Sequence, residues 1–224
     1  MILTDTTHNL AGEALTHVDG WPVNAADLDD AIAQVGRSLA RGASVCVHTL
    51  NLDHLVKLRA DPRFRAVYRR ARVVTADGWP IVLLARLWSG ARIRRAAGAD
   101  MIRPLCRMAP IWNMPVFLFG SADASLERAA TVLAAEHPGL DIRGCEAPAY
   151  GFDPASPAAD AAMDRIVASG ARIVFVALGA PKQEFFAARL AARRAGLALV
   201  CIGAGLDFIS GAQHRAPLWV QRIG

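Results

Sequence analysis

An alternation limits this chain's fold more than any other feature. Short runs of apolar, mostly β-branched residues each give way to a turn and then to a segment with helical period. Ala43 to Thr49 reads as a buried strand and passes into a helix from Asn51 to Ala60. Arg72 to Ala76 leads through Asp77-Gly78 into the apolar segment Ile81 to Leu87. Val116 to Phe119 ends at Gly120-Ser121 before a helix from Ala122 to His137. Asp141 to Cys145 is a further strand, followed by the Pro-, Ala- and Gly-rich loop Ala147 to Pro157 and a helix from Ala158 to Ser169. Arg172 to Leu178 precedes a helix ending at Arg194, and Ala198 to Ile202 is the last strand. Strands that stay apolar at successive positions are buried on both faces, and parallel neighbours need helical crossovers. The pattern therefore predicts an α/β fold, Rossmann-like, with a mainly parallel sheet flanked by helices in a single compact domain. That domain is expected over residues 18–224, after a loose leader over residues 1–17. Before the first strand, Leu28, Ile32, Val35 and Leu39 repeat at helical spacing within Ala25 to Arg41, and Gly42 marks the helix end.

Open α/β sheets bind ligands outside the carboxyl ends of their strands, so the turns there hold the candidate site. Asp77 follows one strand directly. It reads either as an N-cap for the next helix or as a partly desolvated base that takes a proton from a bound hydroxyl. Thr49 and Asn51 follow another strand, suited to hydrogen-bonding a sugar or to capping the helix behind them. In Gly179-Ala180-Pro181-Lys182-Gln183-Glu184, Lys182 and Gln183 stand at a helix N-terminus, where a diphosphate and a uracil or sugar edge fit, or where they are simply polar first-turn residues. Arg95 can reach a phosphate, and Asp100 reads as a helix cap. Gly203-Ala204-Gly205 half-matches a dinucleotide fingerprint, but Phe208 occupies the third glycine position. That argues against a nicotinamide-dependent oxidoreductase and leaves Asp207 free to take ribose hydroxyls. Asp53 and His54 read as helix-surface groups. Asp27-Leu28-Asp29 spells a metal-binding D-x-D, yet it falls in the first turn of a helix, where acidic residues complement the dipole.

Composition excludes several classes. The chain has 224 residues, is 54% hydrophobic and carries a formal charge of +5, almost all of it from arginine, with Lys57 and Lys182 the only lysines. The arginines cluster at helical spacing beside apolar residues and lack aromatic interleaving, which argues for solvated faces rather than nucleic acid. Mean hydropathy is +0.27, but no apolar run reaches the roughly 18 residues of a membrane span. Peripheral membrane contact or burial in a homo-oligomer fits that hydropathy. Cys46, Cys106, Cys145 and Cys201 form no C-x-x-C pair and the N-terminus has no basic-then-apolar signal, so a reduced, cytosolic chain without zinc is expected.

Several blocks together carry a resemblance. Thr49-Leu50-Asn51, Thr75-Ala76-Asp77-Gly78, Ala97-Gly98-Ala99-Asp100, Tyr150-Gly151-Phe152, Leu178 to Glu184 and Arg215-Ala216-Pro217 resemble, in order and spacing, the WecG/TagA/CpsF glycosyltransferase family. The resemblance implies an inverting, metal-independent transfer from a UDP-sugar to a sugar carried on a polyprenyl diphosphate, for bacterial cell-surface polysaccharide. It favours an N-acetylmannosamine-type donor and a peripheral position on the inner face of the plasma membrane. It implies Asp77 as general base, Thr49 and Asn51 lining a sugar, and Gln183 with Asp207 holding the donor nucleotide. Arg95 and Lys182 are then candidates for offsetting the charge on departing UDP, with no metal cofactor. The alternative is a non-catalytic nucleotide-sugar-binding or assembly module of the same fold. The chain departs from the family at Cys201, where glycine is usual. Members also generally continue past the Arg-Ala-Pro segment into a basic appendage that docks on the membrane, which is expected to be missing here.

Overall fold

The computed structural model describes residues 14–214. The fold opens with an antiparallel hairpin of β1 (Thr16–Val18) and β2 (Trp21–Val23), turning through Asp19 and Gly20. Thr16 and His17, expected in the leader, therefore already belong to a strand, too short to show a period in the sequence. Asn24 then extends the hairpin's hold on the sheet. Its Oδ1 accepts from the Val74 N–H at 2.7 Å and its Nδ2 donates to Arg72 O at 2.9 Å. These bonds satisfy the free side of an edge strand, which otherwise invites pairing with another chain.

The elements that follow are α1 (Leu28–Ala40), β3 (Val45–Leu50), α2 (Leu52–Ala60), α3 (Pro62–Tyr68), β4 (Val73–Ala76) and α4 (Trp79–Ser89). A 3-10 turn, Gly98–Met101, leads into α5 (Ile102–Trp112), β5 (Val116–Gly120), α6 (Asp123–Glu136), β6 (Ile142–Glu146) and α7 (Pro157–Ala168). The last are β7 (Ile173–Ala177), α8 (Lys182–Arg193), β8 (Ala198–Cys201) and α9 (Gly205–Ser210). Strands β3 to β8 form one six-stranded sheet in the order β4-β3-β8-β7-β5-β6, and every pairing is parallel. This is the α/β, Rossmann-like arrangement the alternation predicts.

Helices cover both faces. Residues from α1, α5, α6 and α9 pack on one side of the sheet, against Val47, Leu118 and Phe175 among others. On the other side, α2, α3 and α4 pack with the hairpin over Leu50 and Val74, while α7 and α8 cover Phe119, Val174 and Leu199. Each such fully buried side chain contributes roughly 1.5–3 kcal/mol. Because β7 and β8 are buried throughout and β3 everywhere but Cys46, the polar residues at their carboxyl ends are held on a rigid platform.

The D-x-D pair is used locally, as its place at a helix start suggests. Asp27 is the N-cap of α1, accepting from the Asp30 N–H at 3.0 Å, and Asp29 lies in the first turn.

Candidate active site

A cleft of about 500 Å³ opens at the carboxyl ends of β3, β4 and β8. Thr49 and Asn51 come from the end of β3, Asp77 from the end of β4, and Cys201, Ile202 and Gly203 from the end of β8. Arg95, the Ala97-Gly98-Ala99 turn, Gln183, Phe208, Gln213 and His214 complete the lining.

Asp77 is placed by backbone geometry. Its N–H donates to Leu50 O at 2.8 Å, carrying the β3–β4 ladder one residue past the strand. Gly78 then adopts a φ of 94°, which only glycine takes easily, and serves as N-cap of α4 without any side-chain capping bond. The carboxylate of Asp77 is therefore not a cap and is left facing the cleft. Of the two readings the sequence allowed, the structure removes the cap.

Arg95 reaches this carboxylate because its segment is pinned to the end of β4. The Ala96 N–H donates to Ala76 O at 2.8 Å, and the Thr75 hydroxyl donates to Ala96 O at 2.6 Å. One guanidinium nitrogen lies 3.9 Å from Asp77, while the other is 2.8 Å from Asp100. Asp100 is thus not a helix cap: it lies inside the 3-10 turn and orients Arg95. Gly98 permits the close approach on which this wall depends, since a Cβ there would meet Cys201 O at 2.2 Å.

Burial raises the Asp77 carboxyl above its ordinary value, against the lowering influence of Arg95 and His54. Asp100 raises it further, and a hydrogen bond from the Asn51 amide lowers it. The result is a carboxylate more basic than a solvated aspartate, the direction proton abstraction needs.

Asn51 takes its capping reading and also lines the cleft. Its Oδ1 caps α2 by accepting from the His54 N–H at 2.9 Å, and its amide lies against Asp77. Gln183 is only 3% exposed and lies on the cleft floor. Its Oε1 accepts from the Gly203 N–H at 3.0 Å and its Nε2 donates to Glu184 at 2.8 Å, so it ties α8 to the loop after β8. Thr49, Asn51, Asp77, Arg95 and Gln183 are thereby brought together. Lys182 is not on the cleft wall: with Gln183 and Glu184 turned inward, the preceding side chain of α8 points to solvent. Asp207 stands beside the cleft on α9, accepting from the Ser121 hydroxyl and from Gln213. The Tyr150 loop lies off the cleft, with Tyr150 exposed and Phe152 packed against Phe119 and Phe186. Arg215-Ala216-Pro217 falls outside the described residues.

Two residues escaped the sequence reading. His54, expected on a helix surface, is buried and lines the cleft, and Glu184 is fully buried behind it. The signal was present in the helical spacing: His54 shares a face with Leu55 and Leu58, and Glu184 with Ala187.

The desolvated carboxylate stands beside an arginine in a cleft at the strand ends of a doubly wound parallel sheet, where proteins of this architecture bind their ligands. Comparison with known proteins narrows this class. The chain belongs to the glycosyl transferase WecG/TagA/CpsF family, whose model matches residues 16–224. It is 31% identical over 163 residues to a Bacillus spizizenii protein described as N-acetylglucosaminyldiphosphoundecaprenol N-acetyl-beta-D-mannosaminyltransferase. The match covers 73% of this chain and 61% of that protein, so the chain spans about three fifths of the relative's length.

Proposed function

We propose that this protein transfers an N-acetylmannosamine-type sugar from a UDP-sugar to a sugar carried on a polyprenyl diphosphate, with inversion and without a metal ion. The observation that carries the reading is the Asp77 carboxylate, unused by capping, raised by burial and set beside Arg95 in the cleft. In a single displacement, the acceptor hydroxyl oxygen attacks the anomeric carbon while the bond from that carbon to the UDP oxygen breaks. UDP departs with the electron pair, and the hydroxyl proton passes to Asp77. Arg95 is the wall cation that offsets the charge growing on UDP. Thr49 and Asn51 face the sugar, and Phe208 gives the uracil an apolar surface near Asp207.

Metal independence is supported by the use of Asp27 as a helix cap rather than a ligand. Among the described residues, no helix is long and apolar enough to cross a membrane. We place the enzyme peripherally at the inner face of the bacterial membrane, because its acceptor is lipid-linked.

The test is UDP release from a panel of UDP-sugars with a short-chain polyprenyl-diphosphate-linked acceptor sugar, with and without EDTA. Release from one donor, unchanged by EDTA, is expected. UDP binding with no release from any donor would instead support a non-catalytic module.

A further inference from the structure

Behind the cleft runs a buried chain of side chains that the reaction above does not use. Asn51 Oδ1 accepts from the His54 backbone N–H at 2.9 Å, which fixes the amide's orientation, and the same oxygen lies 2.6 Å from His54 Nδ1. An oxygen so placed can only accept, so Nδ1 carries a proton. His54 Nε2 faces Glu184 Oε1 at 3.3 Å, and Gln183 Nε2 donates to that oxygen at 2.8 Å. Glu184 is fully buried, and its Oε2 has no hydrogen-bond partner among the described residues. A carboxylate in such surroundings is tolerable only beside a compensating charge. Burial pushes the Glu184 carboxyl up, but the His54 hydrogen bond, helped by Gln183, outweighs this and holds it below the usual range. Both ring nitrogens of His54 thus face side-chain oxygens, Nδ1 toward Asn51 Oδ1 and Nε2 toward Glu184 Oε1.

We infer that His54 and Glu184 are positioning residues for the Asp77 base, acting through Asn51 to point its amide at the carboxylate. The inference rests on the role of Asp77 proposed above. With Oδ1 held by two bonds from His54, the NH2 of Asn51 is directed to Asp77, the opposite end of the same amide. The other groups facing the pair are neutral near pH 7. His48 on β3 is lowered to about 4 by burial, while Tyr68 on α3 and Cys201 on β8 are raised well above their ordinary values, again chiefly by burial. The charges that remain nearby are Asp77 and Arg95 in the cleft and the exposed Lys57–Asp53 pair on α2 itself.

Two double variants separate this role from simple packing. Both carry Glu184→Gln, so neither leaves a buried charge unpaired. His54→Asn keeps a donor where Nδ1 stood, whereas His54→Gln keeps only the reach toward position 184. We expect His54→Gln/Glu184→Gln to lose up to about 100-fold in kcat with UDP affinity unchanged, the scale of a misplaced catalytic group. His54→Asn/Glu184→Gln should retain most of the plateau kcat, and both should move the acid limb of kcat upward, because His54 is one of the influences that lower Asp77. Equal kcat in the two variants, or an unmoved limb, overturns the inference. The wild-type protein gives a readout independent of turnover: ¹⁵N-histidine NMR should show a hydrogen-bonded Nδ1–H that is lost in Asn51→Ala. An Nδ1 without a proton overturns the inference even if the variants fail to fold. Wild-type protein that shows the Nδ1–H signal but no transfer would count against the transferase reading instead.

Discussion

Replacing Asp77 by asparagine separates chemistry from stability. Asparagine keeps the volume and removes the charge, so the acceptor proton has no carboxylate to receive it. General-base assistance is worth about 10²–10⁴-fold, or roughly 2.7–5.4 kcal/mol of barrier at 1.36 kcal/mol per tenfold. The fold should not weaken. The cap of α4 is Gly78, so no helix loses a side-chain bond, and Arg95 retains Asp100 at 2.8 Å. The sign of the stability change follows from the raised carboxyl. A group whose folded-state value lies above its unfolded one contributes stability below the unfolded value and loses it as pH rises through the folded one. Above its raised folded-state value the Asp77 carboxylate is therefore a net cost, which asparagine relieves. Steady-state UDP release, UDP calorimetry and thermal melting together check this. Expected are kcat lower by at least about 100-fold, unchanged UDP affinity and a melting temperature equal to or above that of the wild type. A variant that turns over normally, or one that melts well below the wild type, would refute the reasoning.

The acid limb of kcat/KM should lie above the roughly 3.9 of a solvated aspartate, because burial raises Asp77; a pH series of initial rates measures it. Arg95→Gln removes the largest influence lowering Asp77, so it should shift that limb further up and reduce kcat by about 10²-fold, as loss of a charge-stabilising donor does. Gly98→Ala should destabilise the protein by about 1–3 kcal/mol through overpacking, since the new methyl would meet the Cys201 carbonyl; urea unfolding reads the change.

The fold was legible because its signal is long-range and redundant. Every strand of the sheet except the edge strand β6 is a short apolar run, and the run-turn-helix order admits little besides a parallel sheet. The hairpin was missed at Thr16 and His17 because a three-residue strand carries no period. At the site, strand-end position alone located Thr49, Asn51 and Asp77. Turn chemistry could not decide whether Asp77 caps a helix, since that depends on where α4 begins, and Gly78 sets that boundary. Nor could it distinguish Lys182 from Gln183, adjacent residues that one helical step sends to opposite sides of the wall. His54 and Glu184 were hidden because charged residues in a first helical turn usually lie in solvent. The helical spacing hinted at their burial, but their pairing shows only where α2 and α8 bring them together, 130 residues apart in sequence.

The most direct test of the account is to incubate the protein with UDP-N-acetylmannosamine and a short-chain polyprenyl diphosphate carrying N-acetylglucosamine, then analyse the lipid product by mass spectrometry and anomeric NMR. The account predicts a lipid-linked disaccharide whose new linkage is inverted relative to the donor, formed in step with UDP. A product with retained configuration would contradict the single displacement on Asp77, and a lipid left unmodified while UDP-sugar binds would contradict the transferase itself.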